Sequence, residues 1–180
     1  MKTRTLLLVC ILVILLCTQA DAKIIYVDDD ASGANNGSSW QNAYKYLQDA
    51  LAEANSAKEP FEIRVAQGVY QPDLGVGYTT GDIWAYFELR NNITLSGGYA
   101  GILETDPDKR DYEKYKTILS ADLDGNDVDV NDPNELRSEP TRRDNSYLII
   151  KNQVESVIDG FTISGNHGIF IPHTGGNMFG

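Results

Sequence analysis

Cysteine is almost missing from this 180-residue chain, and the two present, Cys10 and Cys17, both fall within the first 22 residues. Residues 23–180 therefore cannot form a disulfide, so an exported form must draw its stability from a repeated apolar core. Positive charge is scarce as well: 15 Lys and Arg stand against 26 Asp and Glu, a net charge of −11. That balance argues against nucleic acid and against polyanionic lipid as partners, and it is compatible with divalent cations. Long apolar runs are limited to Leu6–Leu16, which is too short for a comfortable membrane span. Helical periodicity is confined to one segment, and tight Asn-Gly or Asp-Gly hairpins do not join neighbouring strands as an antiparallel sandwich would need.

What is present begins with that leader. Lys2 and Arg4 form a positive n-region, the apolar run follows, and Ala20-Asp21-Ala22 supplies a small-x-small cleavage pattern. Residues 1–22 read as a secretory signal peptide, with a membrane anchor as the alternative, and the protein is expected to be secreted or at the cell surface. Cleavage removes Lys2, Arg4 and Asp21, leaving 13 positive and 25 negative side chains and no membrane span.

Residues 23–60 read as a strand, a loop and a helix. Ile24-Ile25-Tyr26-Val27 is a short apolar strand. Asp28-Asp29-Asp30 follows, and alternation along an extended chain would let at most two of these carboxylates share an ion. Ser39 is the expected N-cap of a helix whose apolar stripe is Trp40, Tyr44, Leu47, Leu51 and Ala54, ending near Asn55-Ser56.

From Phe61 the period changes to two. Strands are expected at 61–65, 66–70, 86–90, 93–95, 116–119, 147–150, 156–163 and 168–171. Asn92-Ile93-Thr94-Leu95-Ser96-Gly97-Gly98 and Gly160-Phe161-Thr162-Ile163-Ser164-Gly165-Asn166 share one pattern, and Val65 to Leu89 and Leu95 to Leu119 are both steps of 24 residues. Recurrence of this kind predicts an all-β chain folded as a right-handed parallel β-helix, with Phe161 and Ile163 inside and the amphipathic helix capping the first coil. Residues 61–180 would be its first coils.

Several motifs carry a resemblance: Ile25-Tyr26-Val27-Asp28, Ile63-Arg64-Val65-Ala66-Gln67-Gly68-Val69-Tyr70, Gly97-Gly98-Tyr99-Ala100-Gly101, Thr117-Ile118-Leu119-Ser120-Ala121-Asp122 and Asp159-Gly160-Phe161-Thr162-Ile163. In these the chain resembles the N-terminal part of bacterial secreted, pectin-lyase-like parallel β-helix proteins of the planctomycete type. The resemblance implies export and further coils beyond Gly180. It leaves chemistry open, because that superfamily holds polysaccharide lyases, hydrolases and adhesins alike.

Three groups of residues could carry function. Asp122, Asp124, Asn126, Asp127 and Asp129 surround Gly125 in a carboxylate-rich loop that suits calcium, or else form a solvated acidic insertion. The flanks are not helical and position 12 is Asn131, so this is not an EF-hand. Gly165-Asn166-His167-Gly168 has a His-Gly pair but lacks the upstream carboxylates that glycoside hydrolysis needs, so no catalytic residue is assigned. Arg142, Arg143 and Lys151 are the bases available for lyase chemistry, with nothing to place them in a groove. Tyr78, Trp84, Tyr86, Tyr99, Tyr112 and Tyr115 sit in or beside loops, where rings can stack on sugars or pack under the loops instead. The expected function is an exported adhesion or scaffold segment that binds extracellular polysaccharide or calcium. The alternative is the N-terminal part of a polysaccharide lyase or hydrolase whose active site lies on other coils.

Overall fold

A computed structural model of the chain describes residues 22–57, 59–90, 92–132, 134–136, 138–152 and 156–165. The leader with its two cysteines, His167 and the strand expected at 168–171 lie outside the described residues. Among the described residues there are nine short strands and one α-helix: β1 Lys23–Val27, α1 Leu47–Ser56, β2 Phe61–Ala66, β3 Gly68–Tyr70, β4 Phe87–Leu89, β5 Ile93–Tyr99, β6 Thr117–Ser120, β7 Ile150–Asn152, β8 Val157–Asp159 and β9 Thr162–Ser164. Every strand pair is parallel.

The β-helix expectation is corrected by the sheets themselves. The strands form three separate short sheets, β1-β2-β5-β8, β3-β6-β9 and β4-β7, and these do not close into a solenoid. Among the described residues helix accounts for 10% and strand for 28%, so long loops and not coils carry most of them. The repeat fails physically because stacked positions recur at no fixed step. Ile25 pairs with Ile63, Ile63 with Leu95 and Leu95 with Ile158, separations of 38, 32 and 63 residues. The matched motifs also part company: Leu95 lies in the four-stranded sheet, while Ile163 pairs with Leu119 in the three-stranded one. Ile163 is exposed, contrary to the inward position expected of it, and Phe161 only packs against the margin of the core.

Alternation still decides what each strand buries. Ile25 and Val27, Phe61, Ile63 and Val65, Phe87 and Leu89, and Ile93 and Leu95 all point into one core with Leu47, Leu51 and Leu119. Each fully buried side chain of this size contributes about 1.5–3 kcal/mol. A second, smaller cluster joins Trp40, Ala66 and Tyr99, with Arg64 and Arg110 over the Tyr99 ring.

The helix starts later than its periodicity suggests. Ser39 Oγ accepts from the Asn42 backbone N–H, so it closes a turn, and Tyr44 forms a parallel bridge with Val27 before α1 begins. Trp40 and Tyr44 are therefore apolar contacts of a loop. The single strand expected over 156–163 is two strands, broken at Gly160, whose φ is +79°. A Cβ there would sit 2.7 Å from the Gly97 carbonyl oxygen, so both the dihedral and the close approach require glycine. Among the described residues no helix is long and apolar enough to cross a membrane.

Candidate functional site

The residues with most chemistry in the open lie on the outer face of the β4–β7 sheet. Ala85, Phe87 and Leu89 turn inward, so the alternation sends Trp84, Tyr86, Glu88 and Arg90 outward. Facing them, β7 pairs Glu88 with Lys151, and the preceding segment runs alongside through Tyr147 N–H to the Ile83 carbonyl and Phe87 N–H to the Ile149 carbonyl. Buried Ser146 donates its hydroxyl to the Ala85 carbonyl at 2.6 Å and holds the two segments together below the surface.

On this face the Trp84 and Tyr147 rings stack at 4.6 Å with 33° between planes, yet Trp84 remains 69% exposed. Lys151 Nζ sits 5.4 Å from the Tyr86 ring centre and 3.2 Å from Glu88 Oε1, while Arg90 Nη2 lies 3.3 Å from Glu88 Oε2. The hydrogen bond to Glu88, followed by that to Tyr86, raises the Lys151 ammonium above its ordinary value. Tyr78 is raised too, first by desolvation and then by the nearby charges of Glu88, Tyr86 and Asp49. From Trp84 to Arg90 an extended chain spans about 20 Å. The strip thus offers a stacked aromatic pair, a third ring under a cation, and a carboxylate between two cations.

Helix α1 holds the far edge of β4. Asn55 donates Nδ2 to the Glu88 carbonyl and accepts from Arg90 N–H, standing in for a neighbouring strand. Gln48 is 2% exposed and donates Nε2 to both the Pro72 and the Tyr86 carbonyls, which ties together the two ends of the loop that carries Tyr78 and Trp84.

The other aromatic candidates separate by burial. Tyr99 and Tyr115 are buried, so they pack and do not present a ring, whereas Tyr112 is exposed but lies elsewhere, on a cavity of about 290 Å³ with Glu113, Lys116, Asp159 and Phe161. Asp159 is structural there: Arg110 Nη2 binds its carboxylate at 2.7 Å and Arg110 Nε binds the Gly97 carbonyl.

The acidic loop is organised by its own backbone. Asp122 accepts the N–H groups of Asn126 and Asp127, and Asp124 N–H donates to Asp144. Asp127 is bound by Asn145 Nδ2 at 2.9 Å and lies 3.5 Å from Arg142 Nη1, so the loop meets one of the candidate bases there. Asn126 and Asp129 are exposed. Among the described residues, three carboxylates whose oxygens come within 4.8 Å of each other occur only at Asp28, Asp29 and Asp30. These were expected to alternate outward and inward. They converge because the chain turns, with Ala31 N–H on the Asp28 carbonyl and Asp30 N–H on Asp28 Oδ1. Asp28 Oδ2 also accepts Ile102 N–H at 2.7 Å. Desolvation raises both Asp28 and Asp29, with the Asp30 charge adding to each.

Tyr147, Glu88 and Arg90 are the members of the outer face that the sequence candidates do not include. The signal was available in the alternation of Trp84, Tyr86 and Glu88 around Ala85, Phe87 and Leu89. Comparison of the chain with protein-family models, with curated proteins and with solved structures finds no match in any of the three.

Proposed function

We propose that this chain is an exported scaffold or adhesion segment that holds extracellular polysaccharide on the Trp84–Tyr147 face. The observation that carries this reading is Trp84, a large ring left 69% exposed while stacked, with a 33° tilt, on a second aromatic that supports it. An isolated exposed ring would be unremarkable on any surface. A supported ring beside a third aromatic, a carboxylate and two cations supplies what a sugar needs: an apolar platform for its C–H face and hydrogen-bonding groups for its hydroxyls. The leader of residues 1–22 supports export to where such polymers are found.

Affinity electrophoresis through gels loaded with a panel of neutral and acidic polysaccharides tests this. Loss of one stacking ring removes about 1–2 kcal/mol, so Trp84→Ala should weaken binding roughly 5- to 30-fold. Retention by no polysaccharide, or equal retention of wild type and Trp84→Ala, would overturn it.

A further inference from the structure

We infer that the loop bearing Trp84 holds a hard divalent cation of the calcium type on Asp73, and that this cation orders the polysaccharide face. The fold treats its shielded carboxylates differently. Asp28 is 2% exposed and accepts two backbone N–H groups, one on each oxygen. Asp127 leaves Oδ1 without a hydrogen-bond partner but is met on Oδ2 by Arg142 and Asn145, and Asp29, whose Oδ1 is likewise unpartnered, feels the charge of Lys45. Asp73 is the most buried of these, at 1% exposure, and receives one hydrogen bond only, from Gly81 N–H to Oδ2 at 2.8 Å. Its Oδ1 is shut off from solvent with no hydrogen-bond partner among the described residues, and no lysine or arginine pairs with it there. Burying a carboxylate without a cation or a full set of donors is strongly unfavourable.

The surroundings specify the missing partner. Residues 71–86 link β3 to β4 and contain Asp73 and Asp82 but no lysine, arginine, histidine or cysteine. Every ligand atom this loop can offer is an oxygen, from Asp73, from hydroxyls and from backbone carbonyls, which selects a hard cation over a soft one. Gly77 and Gly81 turn the chain at φ +86° and +82°, and Gly81 is the residue bonded to Asp73. A cation at Asp73 Oδ1 would therefore fix the turn three residues before Trp84. The coupling to the face rests on the polysaccharide reading above, while the cation site itself does not.

Terbium luminescence on the full chain, with calcium competition and calorimetry, provides the test. Terbium bound in this loop is excited through Trp84 and Tyr78, and calcium should displace it with a dissociation constant of about 10⁻⁴ M, typical of extracellular sites. Asp73→Asn should weaken calcium at least tenfold, while Asp29→Asn and Asp122→Ala should leave it within twofold. If Asp73→Asn fails to fold, Trp84→Phe locates the site instead, by removing most of the sensitised emission without removing calcium binding. No calcium heat at millimolar ion, unchanged affinity in a folded Asp73→Asn, or emission untouched by Trp84→Phe would each overturn the site. Polysaccharide retention with and without chelator separates the two ideas. Retention that falls with chelator supports both, and retention indifferent to chelator removes the coupling and leaves the polysaccharide reading standing. Calcium binding without retention under either condition removes the polysaccharide reading alone.

Discussion

Replacing Gln48 by methionine should unfasten the Trp84–Tyr147 face without disturbing the core beneath it. Gln48 lies in the first turn of α1, is 2% exposed, and its single amide nitrogen serves the carbonyls of Pro72 and Tyr86, which stand at opposite ends of one loop. Methionine keeps nearly the same length and volume, so the cavity term that complicates an alanine substitution is small. What remains is the loss of two donors. The Pro72 carbonyl is buried and loses its partner outright, at about 1–3 kcal/mol, and the half-buried Tyr86 carbonyl adds about 1 kcal/mol. The total is about 2–4 kcal/mol. With a urea m-value of about 2 kcal/mol/M for a chain of this size, the midpoint should fall by about 1–2 M. Gln48→Glu makes a sharper control, because a carboxylate set against two carbonyls donates nothing and adds charge; at neutral pH it should be worse than methionine, and it should recover as the pH is lowered and the group protonates. Trp84 fluorescence and amide exchange at Gly81 and Tyr86 would report the loosened loop. A midpoint shift under about 0.3 M in Gln48→Met, or a glutamate variant as stable as wild type at pH 7, would refute the clamp.

Three further outcomes are expected. Gly160→Ala combines a φ of +79° with a Cβ 2.7 Å from the Gly97 carbonyl oxygen, so it should destabilise by more than about 1 kcal/mol, read by the same urea titration. Asp127→Ala strips Asn145 and Arg142 of a shared, partly shielded acceptor and should cost about 2–3 kcal/mol, whereas Asp129→Ala, on an exposed side chain, should cost less than about 0.5. The aspartate triad sets a pH dependence. Asp28 and Asp29 both hold protons more tightly in the folded chain than their ordinary value of 3.8, because of burial first and neighbouring charge second. The folded state therefore binds more protons, so their contribution is greatest at low pH and is lost as pH rises from 3.8 through the raised folded values. Melting temperatures of Asp29→Asn minus wild type should accordingly grow between pH 4 and pH 7, and a flat difference would refute the sign.

Strand positions were largely readable because alternation and β-branching act locally. Phe61-Glu62-Ile63-Arg64-Val65 needs no partner to show which side chains must hide, and β2 buries Phe61, Ile63 and Val65. The order of strands in sheets was not readable from motif likeness. Thr94-Leu95-Ser96 and Thr162-Ile163-Ser164 look alike because both alternate as strands, yet they pair into different sheets according to loop lengths that no local pattern encodes. The same limit hid the site. Trp84 and Tyr86 could be listed as loop aromatics, but Tyr147 reaches Trp84 only because Ser146 and the Ile83 carbonyl hold a segment more than sixty residues away in register. The aspartate triad failed in the other direction: an extended chain was assumed where Gly68 and Gly101 leave room for Asp29 and Asp28 to fold inward.

On the proposed reading, charge decides which polysaccharide the Trp84–Tyr147 face holds. The chain as a whole carries −11, whereas Lys151 and Arg90 around Glu88 leave the face with a local excess of one positive charge. Two fields of opposite sign therefore act on an approaching polymer. A neutral glycan feels neither, so its retention should depend on Trp84 and change little with salt. An anionic glycan is repelled at long range by the acidic surface and attracted only within a few ångströms of the two cations. Raising ionic strength from about 0.01 to 0.15 M shortens the screening length from about 30 to 8 Å, which removes more of the distant repulsion than of the contact attraction. Retention of an acidic polysaccharide should thus rise over that range before it falls, while retention of neutral polymers should stay nearly flat. An acidic polysaccharide whose binding falls steeply and monotonically with salt would show that a basic surface dominates recognition, and the Trp84 strip would then not be that surface.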